Sequence, residues 1–123
     1  MSPPGACVVS GSVPTVDLIG RLVNDRTGVV LQLSGEIDLS TVPTLHDHLA
    51  RAAAESRGAT LHVDVDGVTA LDDVGLGVML GWAGRQRESG GELVLVCTSE
   101  RLLQRFRITG LSRAIAVADR LAD

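Results

Sequence analysis

Alternation of apolar and polar positions marks the strands of this chain, and a three-to-four residue repeat marks its helices. Thr15 to Asn24 carries a loose alternation that predicts a first strand. Asp25-Arg26-Thr27-Gly28 reads as a turn into Val29-Val30-Leu31-Gln32-Leu33, so the two segments form a hairpin. Ser34 to Leu39 is expected as a loop, with Ser40 or Thr41 capping a helix that accepts Pro43 in its first turn. That helix should reach Ser56, burying Val42, Leu45, Leu49 and Ala52 and turning Asp47, Arg51 and Glu55 outward, with Gly58 as its stop. Leu61-His62-Val63-Asp64-Val65 predicts a strand and Asp66-Gly67 a turn. An acid-capped helix follows, ending at Gly90-Gly91. Leu93 to Cys97 is an unbroken apolar strand, the kind covered on both faces of a sheet. Ser99 caps a third helix with Leu102, Leu103 and Phe106 inward and Gly110 as its left-handed stop. Ala114 to Val117 reads as a short last strand, with a helical turn over Asp119 to Asp123.

The order strand, strand, helix, strand, helix, strand, helix, strand argues for an α/β fold: a small mixed β-sheet with an N-terminal hairpin and parallel crossovers, packed against helices. Residues 1–14 are rich in Gly, Ser and Pro and are expected to be a flexible leader, with one domain over 15–123. At 123 residues and 45% hydrophobic, the chain can bury a core. A net charge of −4 gives no electrostatic reason to bind nucleic acid or an anionic membrane. All 11 basic residues are Arg, which excludes a lysine Schiff base or a Walker-type phosphate loop. Cys7 and Cys97 form no CxxC pair, and Cys97 is expected as a small buried hydrophobe. No run approaches the ~20 apolar residues that span a bilayer, and no basic segment precedes an apolar one at the N-terminus. A cytoplasmic location is expected.

The candidate chemistry lies in Leu71-Asp72-Asp73-Val74-Gly75-Leu76-Gly77, between a strand and a helix. Adjacent carboxylates at a turn rarely converge on one metal ion, and neither His46, His48 and His62 nor any acidic group has ligand spacing. One Asp is expected to cap the helix, a contribution of about 0.5–2 kcal/mol. The glycines lack dinucleotide-loop spacing, so neither a cofactor nor a catalytic activity is expected. On the helix itself, Leu76, Leu80 and Ala83 form one stripe and Gly77, Gly81 and Gly84 the next. Val78, Met79 and Trp82 occupy a third side with Gln86 beside them, either buried or exposed for a partner.

Strand, turn, acidic cap, glycine and helix together resemble the phospho-acceptor segment of STAS-domain anti-sigma factor antagonists. Leu33-Ser34-Gly35-Glu36-Ile37-Asp38, Gly90-Gly91-Glu92-Leu93-Val94-Leu95-Val96 and Ile108-Thr109-Gly110-Leu111 extend the resemblance over roughly Val16 to Leu121. In that family the motif reads Asp-Ser-Ser/Thr-Gly-Leu-Gly, with the first Ser accepting phosphate. Here Asp73 stands at the acceptor position and Val74 at the next hydroxyl. The resemblance implies a protein that binds an anti-sigma factor, typically a serine kinase of histidine-kinase-like ATPase fold, and so releases a sigma factor. It implies a partner surface of Asp38, Ser40, Asp72, Asp73, Val74 and Gly75, to which the helix pattern adds Val78, Met79 and Trp82, with no nucleic acid bound, no membrane insertion, and room for a weak homodimer. Another use of the same module is as a scaffold or adaptor in a stressosome-like assembly or a lipid-transport ATPase complex.

Overall fold

The computed structural model describes residues 18–25 and 28–118. The expected leader, the start of the first strand and the terminal helical turn lie outside them. Strand β1 (Ile19–Asp25) pairs antiparallel with β2 (Gly28–Ile37). Gly28, opposite Asp25 at the hairpin end, has φ +118°, a conformation that side-chain-bearing residues rarely adopt. Helix α1 (Val42–Ser56), strand β3 (Thr60–Leu71), helix α2 (Asp73–Glu88), strand β4 (Glu92–Val96), helix α3 (Glu100–Thr109), the single turn α4 (Leu111–Ala114) and strand β5 (Ala116–Ala118) follow. The sheet order is β1-β2-β3-β4-β5, and every pair after the hairpin is parallel.

Each parallel crossover steps in the same direction, and right-handed connections therefore put all the helices on one face. Val29, Leu31 and Leu33 of β2, Leu61, Val63 and Val65 of β3, and Leu93 and Leu95 of β4 point to that face. There they meet Leu45, Leu49 and Ala52 of α1, Leu76, Met79 and Ala83 of α2, and Leu102 and Phe106 of α3 in one core.

The elements appear in the predicted order, with local differences. The expected loop at Ser34 is still strand, and β2 ends only at Ile37, where a 3-10 turn over Leu39–Thr41 begins. Neither Ser40 nor Thr41 caps α1 through its side chain; Asp38 caps the 3-10 turn instead. The expected turn at Asp66-Gly67 is an irregularity inside a longer β3, where Gln32 pairs with Asp64 but Ser34 with Gly67. Asp66 is turned to the next connection: its Oδ1 accepts from Thr98 N at 2.6 Å and its Oδ2 from Thr98 Oγ1 at 2.9 Å. At the end of α1 it is Arg57, φ 51°, that takes the left-handed position before Gly58. Gly110 does end α3 as expected, at φ 80°. The turn α4 then displaces the last strand to Ala116–Ala118.

The pattern on α2 is also corrected. Its buried side is Gly75, Leu76, Met79, Ala83 and Gln86. Leu80, placed on one stripe with Leu76 and Ala83, is 39% exposed, and Met79, placed on the third side, is fully buried. Gln86 lies within this buried side, its amide Nε2 donating to Ser56 Oγ and to the Ala59 carbonyl, both at 2.7 Å, which ties the helix to the end of α1. A polar residue thus marks a buried position that hydropathy alone assigns to the surface.

Candidate functional site

Two chain segments distant in sequence meet above the ends of β2 and β3. The Asp72 amide donates to the Ile37 carbonyl at 3.1 Å, joining the exit of β2 to the start of α2. Asp38 follows on one side and Asp73 on the other. The Asp38 carboxylate accepts from Ser40 Oγ at 2.6 Å, Ser40 N at 2.9 Å and Thr41 N at 3.2 Å. These bonds, the Ser40 hydroxyl first, hold its pKa below the usual carboxylate value. Thr41 Oγ1 accepts from the Asp38 amide in return, completing a capping box. The expected loop carboxylate is therefore a structural cap with its oxygens at the surface, and Leu39 beside it is exposed.

Asp72 is the N-cap of α2, its Oδ1 accepting from Gly75 N at 3.2 Å. Gly75 is buried so tightly that a Cβ there would meet Ile37 Cγ2 and would lie 3.0 Å from Leu71 Cδ1. It belongs to the packing beneath the site. Asp73 opens the first turn of α2 with its side chain 85% exposed, and Arg105 Nη2 of α3 donates to its Oδ1 at 3.0 Å. Asp72 and Asp73 thus have different partners, a helix amide and a guanidinium. The acidic first turn and Arg85 and Arg87 in the last both suit the helix dipole.

Val74 is exposed, and Val78 and Trp82 are half-buried along the same side of α2. The patch expected from Val78, Met79 and Trp82 therefore divides, with Met79 in the core and the other two bordering a groove. This groove, of about 330 Å³, runs between α1 and α2, walled by Val74, Val78, Trp82 and His46 with bare backbone at Gly77 and Gly81. Trp82 Nε1 donates to His46 Nδ1 at 3.0 Å, and the Arg85 guanidinium lies 4.5 Å from the indole centroid.

Of the predicted residues, Asp38, Ser40, Asp72, Asp73, Val74 and Gly75 cluster at one end of α2. Val78 and Trp82 extend the cluster down its groove side. Sequence reasoning missed Leu39, His46, Arg85 and Arg105. The signal for Arg105 was its four-residue spacing from Arg101 on α3, which puts both on one side of that helix. His46 was weighed only as a metal ligand, and among the described residues no cluster of three or more potential ligands is present.

The family model described as Mlab, STAS domain matches residues 20–119. The chain is also 36% identical over 94 residues to the anti-sigma-B factor antagonist of Bacillus subtilis, covering 76% of this chain and 84% of the relative. The chain belongs to the STAS-domain family of anti-sigma factor antagonists. The Listeria monocytogenes anti-sigma-B factor antagonist is likewise 36% identical, over 76% of this chain and 81% of its own. Among solved structures, an anti-sigma factor antagonist from Mycobacterium paratuberculosis superposes with a TM-score of 0.70 at 24% identity, covering 85% and 88% of the two chains. Unphosphorylated SpoIIAA does so at 0.62 and 20%, covering 84% and 90%. At those identities the two structures speak to the fold alone. The mixed sheet with its antiparallel hairpin is the STAS fold predicted from the sequence. Among the described residues no helix is long and apolar enough to cross a membrane.

Proposed function

We propose that this STAS domain is a cytoplasmic anti-sigma factor antagonist that works by binding rather than by catalysis. Its partner is an anti-sigma factor, a serine kinase of histidine-kinase-like ATPase fold, and binding frees the sigma factor that the partner held. The observation that carries this reading is the surface joined by the Asp72–Ile37 hydrogen bond, which brings the acidic motif and the Asp38 loop together on a chain 36% identical to an anti-sigma-B factor antagonist. The partner surface comprises Asp38, Ser40, Asp72, Asp73, Val74, Val78 and Trp82, with Gly75 and Met79 supporting it from beneath.

Phosphoserine in this family adds ≈ −1.5 to −2 charge at the position of Asp73. A carboxylate cannot take a stable serine-type phosphate, so this chain is not switched there. An anti-sigma factor recovered from the native host and loaded with its sigma factor tests the reading. Adding this protein should release the sigma factor in proportion, equally with and without ATP. Recovery of a transporter subunit or of STAS paralogues, with no sigma factor released, would assign the domain to the scaffold class instead.

A further inference from the structure

The position equivalent to the phospho-acceptor carries a negative side chain, yet that charge does not stand alone. Arg105 reaches it from α3, 32 residues away, at 3.0 Å. One turn earlier on the same helix, Arg101 Nη2 donates to the Thr69 carbonyl at 2.9 Å. Helix α3 therefore holds the end of β3, at Thr69, and the start of α2, at Asp73. Its own position is fixed from below by Leu102 and Phe106 in the core.

The two partners of the ion pair are unequal. The Asp73 side chain is 85% exposed, the Arg105 side chain 39%, and Arg105 Nε is buried with no hydrogen-bond partner. A guanidinium cannot shed its proton, so a partly sheltered one gains from a fixed anion beside it. Asp73 is that anion. The arginine is the more sheltered member of the pair and the carboxylate the more exposed.

We propose that Arg105 is the resident counter-ion of Asp73. The pair then presents a partner with nearly zero net charge where a phosphorylated relative would present almost two negative charges. This deepens, and rests on, the antagonist reading given above. In that reading a hydroxyl at this position permits binding and a phosphate prevents it. With Arg105 in place, Asp73 imitates the unmodified hydroxyl state, not the phosphorylated one, and the protein stays competent to bind.

The test has one arm without a partner and one with it. In the free protein, NMR of the Arg105 guanidinium should show slowed rotation about its Nε–Cζ bond, and Asp73→Asn should abolish it. Equal mobility in both proteins would overturn the inference, whatever the partner proves to be. In the second arm, binding to the anti-sigma factor is titrated for wild type, Arg105→Gln, Asp73→Asn/Arg105→Gln and Arg105→Lys. Arg105→Gln exposes the uncompensated carboxylate and should weaken binding about two- to fivefold, the size expected of a surface ion pair. The double variant restores neutrality and should bind more tightly than Arg105→Gln, as should Arg105→Lys. A double variant as weak as Arg105→Gln, or an Arg105→Lys as weak, would mean that the partner contacts the arginine itself, which overturns the counter-ion role. Failure of every form, wild type included, to bind an anti-sigma factor would instead reject the antagonist reading and leave the NMR arm to decide this one.

Discussion

Alanine substitutions along α2 should change stability with opposite signs on its two sides. Gly77, Gly81 and Gly84 lie in the interior of this 16-residue helix, where a Cβ built on any of them meets nothing within 4 Å. Glycine in a helix interior costs about 1 kcal/mol relative to alanine through lost backbone entropy. Each Gly→Ala change at these positions should therefore stabilise the isolated domain by about 0.5–1 kcal/mol. The three together should give about 1.5–3 kcal/mol if they add. For a domain of this size, each change corresponds to a rise of about 2–5 °C in Tm. Gly75→Ala is the internal control. Its methyl would have to share space with Ile37 and Leu71 under the first turn, an overpacking worth about 1–3 kcal/mol of destabilisation.

Urea unfolding followed by the fluorescence of the chain's one tryptophan, Trp82 on this same helix, reads all four variants. The midpoint should rise for Gly77, Gly81 and Gly84 and fall for Gly75, with the slope unchanged. A fall at any of the first three would mean that something lies over that side of the helix, and the reasoning would fail. A neutral Gly75→Ala would show that the Ile37–Leu71 contact is looser than its geometry implies. With the antagonist bound to its partner the signs part again, because methyls at 77 and 81 intrude into the groove and should lower affinity while raising stability.

Trp82→Ala should leave the domain folded and weaken the anti-sigma complex by about 2 kcal/mol; retained affinity in a calorimetric titration would remove the groove from the partner surface. Asp73→Ser should create an acceptor that the recovered kinase labels from radioactive ATP, and no label would show that residue 73 is not the acceptor position. Asp38 has a lowered pKa, so its cap contributes fully above the ordinary carboxylate value of ~3.9 and is lost as pH falls through the lowered one. Asp38→Asn should accordingly flatten the fall of Tm below about pH 4, and an unchanged acid limb would refute that role. Burial raises the Cys97 thiol above its ordinary pKa, so in a Cys7→Ser background it should react with a thiol reagent only on unfolding.

The order of elements was legible because each strand and helix carries its own period, and because Asp72, Ser99 and Gly110 are strong local end signals. What the sequence concealed depends on contacts between distant segments. Asp66-Gly67 has the composition of a turn, but its carboxylate is used by Thr98 and Ser99 of another connection, and the strand continues past it. Gln86 looks like a surface residue until its two partners at the end of α1 are present. That buried amide lies on the same side of α2 as Met79, and Leu80 lies off it. Asp38 and Ser40 were read as site residues, and their hydrogen bonds, local and within three residues, also build the 3-10 turn, a role the sequence did not show.

The adjacent aspartates show most directly how the fold divides labour that the sequence leaves undivided. Both are carboxylates at the start of one helix, and helix-dipole arguments favour either equally. Asp72 is extended, at φ −100° and ψ 177°, so its side chain folds back on Gly75 N and the charge is absorbed by the helix it caps. Asp73 has entered the helix, its side chain leaves the axis, and the nearest compensation is a guanidinium from α3. Replacing Asp72 should therefore cost helix stability wherever the protein is, bound or free. Replacing Asp73 should hardly alter folding, since an exposed ion pair is worth little, while altering what a partner meets. The separation is a consequence of one residue's backbone angle, which turns the first carboxylate onto the helix it caps and leaves the second at the surface, paired with Arg105.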